Sequence, residues 1–141
     1  MIKVAVGIIL QRSAPDFTRV LLCQRRNTSR YPLKWEFPGG KVEEHEGVEQ
    51  CLQRELFEEL GIRAEIGKLF HRQHYEYPDS GTFDVFYHLV LAFDGTIENR
   101  VFAAFKWVPI RELSQFDILE GNKDVVAKLL TAYENVESEK S

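Results

Sequence analysis

The sequence predicts an α/β fold: one mixed sheet with helices on both faces. Two observations carry that reading. Several β-type segments are interrupted by one strongly helical segment, and a second helical segment closes the chain. Within the 141 residues no internal repeat, low-complexity linker or composition break marks a boundary. A single domain over 1–141 is therefore expected, with a flexible charged tail at about 136–141.

Residues 2–10 (IKVAVGIIL) are apolar apart from Lys3 and read as a buried strand. The gap 11–18, with Ser13, Pro15 and Asp16, reads as a turn, and 19–25 (RVLLCQR) as the hairpin partner. A cation-rich loop follows over 27–34. WEFPGGK is then a short strand ended by Pro38 and a Gly39-Gly40 turn. From Gly47 the period changes. Val48, Leu52, Leu56 and Leu60 recur every fourth residue with Cys51 beside them, one apolar stripe of a helix that Gly61 stops. Residues 64–75 and 82–93 are strands around a Tyr77–Gly81 turn, and Asp94-Gly95 is a further turn. Residues 102–109 form a last strand holding Trp107. A short helix at 111–115 precedes a longer one from about Asn122, whose expected buried face is Val125, Val126, Leu129, Leu130 and Tyr133.

Charge is where the sequence departs from an ordinary domain. Residues 40–62 hold seven glutamates against two cations, Lys41 and Arg54. At roughly 100° per residue, Glu55, Glu58 and Glu59 fall within a sector about 100° wide. Like charges three and four apart repel. Arg54 relieves part of that through Glu58, one turn on, but cannot neutralise three carboxylates. A hard divalent cation such as Mg²⁺ or Mn²⁺ can, taking carboxylate oxygens and leaving positions for phosphate and water. The plainer alternative is a solvated acidic face.

The net charge of −4 argues against a nucleic-acid polymer as partner. Yet Arg19, Arg25, Arg26, Arg30 and Lys34 lie in a stretch with no acid between Asp16 and Glu36. Cations for phosphate beside carboxylates for metal suit a triphosphate, although a basic surface loop has the same composition. No apolar run is long enough to span a membrane. VAVGIIL is too short for a signal peptide, and the two cysteines, Cys23 and Cys51, lack a metal-like spacing. Both read as reduced core residues of a cytoplasmic protein.

Gly40, five residues, Glu46, seven residues, then Arg54-Glu55-Leu56-Phe57-Glu58-Glu59-Leu60-Gly61-Ile62 resembles the signature box of the Nudix hydrolase family at every constrained position. The resemblance implies the Nudix α/β/α sandwich and cleavage of nucleoside diphosphates linked to another moiety. It also implies a divalent metal held by this loop and helix: Glu55, Glu58 and Glu59, with the Gly40 carbonyl as a further ligand. Outside the box, Val4–Ile9, Arg25-Arg26, Trp35–Lys41, Tyr75–Asp79 and Asn122 are similar to the MutT subgroup. That subgroup converts nucleoside triphosphates to monophosphate and pyrophosphate and prefers oxidised guanine nucleotides such as 8-oxo-dGTP. Related sanitising enzymes, some acting on CTP, share the WEFPGGK opening, and a few Nudix domains bind nucleotides without cleaving them.

Carried over by position, Phe37 and Tyr77 flank the base, Arg25 reaches the nucleoside, Lys41 binds phosphate and Asn122 reads the purine edge. An Asn amide can donate to O6 while accepting from N7–H, a hydrogen that only the 8-oxo form carries. The competing roles are core packing for Phe37 and Tyr77 and a helix N-cap for Asn122. Arg54 orients Glu58. Glu46, before the helix, meets the positive end of its dipole, with a structural and a direct role both open. Many relatives carry another glutamate just before the late tryptophan; here that segment reads VFAAFKW, and Glu98 is nine residues ahead of Trp107. Glu58 is then the general base by default. The substrate is a small nucleotide, and the chain is expected to be a monomer or weak homodimer.

Overall fold

The structure, a computed structural model, describes residues 1–14 and 17–140, without the side chains of residues 13, 14 and 134–140. The expected turn residues Pro15 and Asp16, and the side chains of the expected flexible tail, lie outside the described residues. The chain forms two compact units, residues 1–9 with 37–101 and residues 10–36 with 102–141.

The first unit is a mixed sheet with a helix. The first half of β1 (Ile2–Ala14) pairs in parallel with β6 (Gly81–Asp94), from Ile2↔Phe83 to Ile9↔Val90. Its other edge pairs antiparallel with β4 (Gly39–Lys41), and β6 pairs antiparallel with β5 (Arg63–Tyr77). Ala5, Val6, Ile8, Ile9 and Leu10 are all buried, so neither face of this stretch alternates with polar residues. Helix α1 (Val48–Leu60) buries Cys51, Leu52, Leu56 and Leu60. A Cβ added to Gly7 would sit 3.4–3.5 Å from Leu56 and Leu52 methyls, so β1 thins where the helix crosses it. Gly61 ends α1 at φ 71°, the left-handed cap expected of it.

One local expectation is corrected here. Gly39-Gly40 is not a turn but part of β4, in register with Val6 and Ala5. The glycines serve close approach instead: a Cβ on Gly39 would fall 2.0 Å from the Ala5 carbonyl oxygen.

The second unit is antiparallel. Strand β2 (Phe17–Gln24) pairs with the end of β1, with β3 (Trp35–Glu36) and with β7 (Ala104–Pro109). The β1–β2 ladder runs further than the sequence indicated, to Ala14↔Phe17, with a bulge between Arg12 and Ala14. The short helix is a 3₁₀ helix, Ile110–Gln115, and a 3₁₀ turn, Glu120–Asn122, leads into α2 (Lys123–Lys140). Val125, Val126 and Leu129 are buried as expected, whereas Leu130 and Tyr133 are only half-buried. Cys23 and Cys51 are both buried free thiols. No helix among the described residues is long and apolar enough to cross a membrane.

Candidate active site: a carboxylate cluster held by one arginine

Burial of the Leu52–Leu56–Leu60 stripe fixes the rotation of α1, and with it the direction of Arg54, Glu55, Glu58 and Glu59. Arg54 is the hub. Its Nη1 donates to Glu55 Oε1 at 3.0 Å and to Glu58 Oε2 at 3.2 Å, so two carboxylates converge on one nitrogen. Its Nε and Nη2 donate to the two Glu46 oxygens at 2.7 and 3.0 Å. Glu43 lies 3.7 Å away. The Arg54–Glu58 contact expected from the sequence is present; in addition, the paired hydrogen bonds go to Glu46, from the loop ahead of the helix.

That loop is tied to itself as well. The Glu43 N–H donates to Glu46 Oε1 at 3.0 Å and the Gly47 N–H to Gln50 Oε1 at 2.9 Å. The Arg54 hydrogen bonds, aided by the Glu43 amide, hold the Glu46 carboxyl down at about 2. Its hydrogen bonds to Glu46 and Glu55 in turn raise Arg54 above its ordinary value, so it stays cationic. Glu55 behaves oppositely. Burial pushes its carboxyl up against the pull of Arg54, and the charges of Glu58 and Glu46 add to the rise.

Strand β4 supplies the other wall. A Cβ on Gly40 would lie 2.3 Å from Glu55 Cδ, so the carboxylate rests directly on the bare Cα. The Gly39 N–H donates to Glu59 Oε1 at 3.2 Å. Cys51 Sγ lies 3.6 and 3.4 Å from the Gly40 and Lys41 carbonyls, and burial, with the Glu46 charge, pushes its thiol up to about 12.

The remaining expected residues divide between the units. In the first, Phe37 is 3% exposed, Lys41 is exposed, and Tyr77 is half-buried with its ring centroid 4.5 Å from Tyr75 and 5.9 Å from Phe83. In the second, Arg25 donates from Nε to the Arg30 carbonyl at 2.7 Å and from Nη1 to Glu36 at 3.1 and 3.3 Å, pinning the basic loop. Asn122 is buried in the turn before α2.

The NUDIX domain profile matches residues 1–129. The chain belongs to the Nudix hydrolase family. It is 34% identical over 135 residues to an 8-oxo-dGTP diphosphatase of Haemophilus influenzae, covering 96% of each chain. It is 35% identical to a CTP pyrophosphohydrolase of Escherichia coli, covering 84% of this chain and 83% of that one. A solved MutT structure of Aliivibrio salmonicida and Vibrio cholerae origin aligns with a TM-score of 0.78 at 32% identity, over 94% of this chain and 98% of that chain.

Nudix hydrolases generally use divalent metal ions. Among the described residues, no three His, Cys, Asp or Glu side chains converge closely enough to enclose a cation. Arg54 occupies the charge-balancing position between Glu55 and Glu58. The chemistry nevertheless fits: the donors gathered here are carboxylate and carbonyl oxygens, and the bare Cα of Gly40 lets the Glu55 carboxylate lie directly against β4. Two features of this Nudix site were not visible in the sequence, the Glu46–Arg54 pair and the packing of Glu55 on Gly40. Glu46 precedes the helix, so no helical period links it to Arg54.

Proposed function

We propose that the chain is a Mg²⁺-dependent nucleoside triphosphate pyrophosphohydrolase that releases monophosphate and pyrophosphate, with oxidised purine nucleotides such as 8-oxo-dGTP as its preferred substrates. The observation that carries the chemistry is the convergence of Glu55 and Glu58 on one Arg54 nitrogen, beside a glycine strand. Similarity to an 8-oxo-dGTP diphosphatase over nearly the whole chain supports the substrate class.

Glu55, Glu58 and Glu59, with the Gly40 carbonyl, would hold the metal, Mn²⁺ being the natural substitute. When bound, a divalent cation supplies Lewis acidity and positive charge to the phosphate oxygens. Glu58, the most exposed member of the Arg54 cluster apart from Glu43, takes a proton from the attacking water. Arg54 keeps Glu55 and Glu58 aligned, and Glu46 keeps Arg54 in place. Lys41 contributes charge to the polyphosphate. For the base, the family pattern would have Phe37 and Tyr77 flank the ring, Arg25 reach the nucleoside and Asn122 read the purine edge.

A second reading has its own support: similarity to a CTP pyrophosphohydrolase favours a pyrimidine substrate at the same carboxylates. A panel of ordinary and oxidised nucleoside triphosphates, with kcat/KM for each, decides between them. Preference for 8-oxo-dGTP over dGTP and CTP is expected. Comparable turnover of CTP would transfer the assignment, and no turnover of any nucleotide would leave only a recognition module.

A further inference from the structure

Helix α1 carries three of its four acids at the wrong end, Glu49 alone lying in the first turn. Glu55, Glu58 and Glu59 occupy the C-terminal half, where the helix dipole is negative, and the last turn holds no basic residue. Its final carbonyls also need donors from outside the helix. Both needs are met by one distant segment. The Arg100 Nη1 donates to the Phe57 carbonyl at 3.0 Å, the Arg100 N–H to the Glu59 carbonyl at 3.2 Å, and the Glu98 N–H to the Leu60 carbonyl at 2.8 Å. Glu98 Oε2 accepts from Arg100 Nε at 3.2 Å and fixes the guanidinium. A Cβ on Gly61 would lie 2.9 Å from Arg100 Nη2, so the glycine cap also clears room for this arginine.

We infer that Arg100, braced by Glu98, is a positioning residue that orders the last turn of α1 and so holds Glu58 and Glu59 for the cation. This rests on the carboxylate reading above. Arg63 provides an internal control: its guanidinium also lies over the Phe57 ring, at 5.4 Å against 5.6 Å for Arg100, but among the described residues it caps no helix carbonyl.

The test uses the full chain without nucleotide. Mn²⁺ is titrated in and free Mn²⁺ followed by EPR, while hydrogen exchange is read at the amides of the last turn. Arg100→Ala is expected to weaken Mn²⁺ binding roughly twofold to fivefold, the range of a lost charge–dipole contact, and to speed exchange in that turn more than in the first. Arg100→Lys, which keeps the charge and one donor, recovers most of both effects, and Arg63→Ala changes neither. Unchanged Mn²⁺ affinity in Arg100→Ala, whether or not exchange quickens, would overturn the inference. Unchanged affinity in Glu58→Gln and Glu59→Gln would overturn the carboxylate reading and the inference with it. That failure is distinguishable, because the exchange effect of Arg100→Ala would persist.

Discussion

Arg54 grips Glu46 with two hydrogen bonds, at 2.7 and 3.0 Å, across the junction between the acidic loop and helix α1. The pair joins a residue outside the helix to one inside it, and so sets where the loop ends and where the glutamates begin.

Loss of that grip is expected in acid. The Glu46 carboxyl is held at about 2 against an ordinary 4.5. A carboxyl lowered on folding contributes stability that is fully present above 4.5 and disappears as pH falls from there toward about 2. Glu55, raised by burial, works in the opposite sense. Melting temperatures of the wild type and Glu46→Gln should therefore differ most above pH 4.5 and converge below it. Parallel curves throughout would mean that the pair adds nothing to folding.

Glu58→Gln should remove turnover, about 10²–10⁴-fold in kcat, the usual worth of an acid–base group. Glu58 is largely exposed, so the melting temperature should hardly move. Near-normal kcat would take Glu58 out of the reaction.

Gly39→Ala and Gly40→Ala should fail differently. At Gly39 the new methyl meets the Ala5 carbonyl, which is backbone and cannot yield. That variant should unfold or lose at least ~1–3 kcal/mol, as overpacked sites do. At Gly40 the methyl meets the Glu55 carboxylate, the end of a flexible chain. The fold should survive while Glu55 is displaced and activity drops. Circular dichroism with kcat for each variant distinguishes the two, and equal stability losses would contradict it.

Asn122→Ala should narrow the preference for 8-oxo-dGTP over dGTP by about tenfold, the cost of one unpaired polar contact. An unchanged ratio with lower stability would assign Asn122 to capping the helix.

Chelation by EDTA should stop hydrolysis, with recovery on adding Mg²⁺. Activity that persists in EDTA would remove the metal from the proposal.

What the sequence reveals of this site follows from locality. The four-residue recurrence of Val48, Leu52, Leu56 and Leu60 is a short-range signal, and α1 appears with the stop it implies and with Leu52, Leu56 and Leu60 buried, Val48 being half-buried. Strands β5 and β6 likewise announce themselves by composition, although each runs a residue or more further at both ends. Gly39 and Gly40 mislead, because a glycine pair is equally suited to turning the chain and to letting it lie close against Ala5 and Glu55. Arg100 is the clearest omission. Its partner Phe57 is 43 residues away, and no periodicity spans such a gap. Glu98, which matched no family position, is explained by the same contact.

The thiol of Cys51 gives a last practical consequence. With its thiol pushed up to about 12 by burial and the neighbouring Glu46 charge, little of the reactive anion is present at neutral pH. Peroxides and alkylating reagents should thus pass this sulfur by while the helix is seated on the sheet. Its modification rate becomes a clock for how often that helix lifts away.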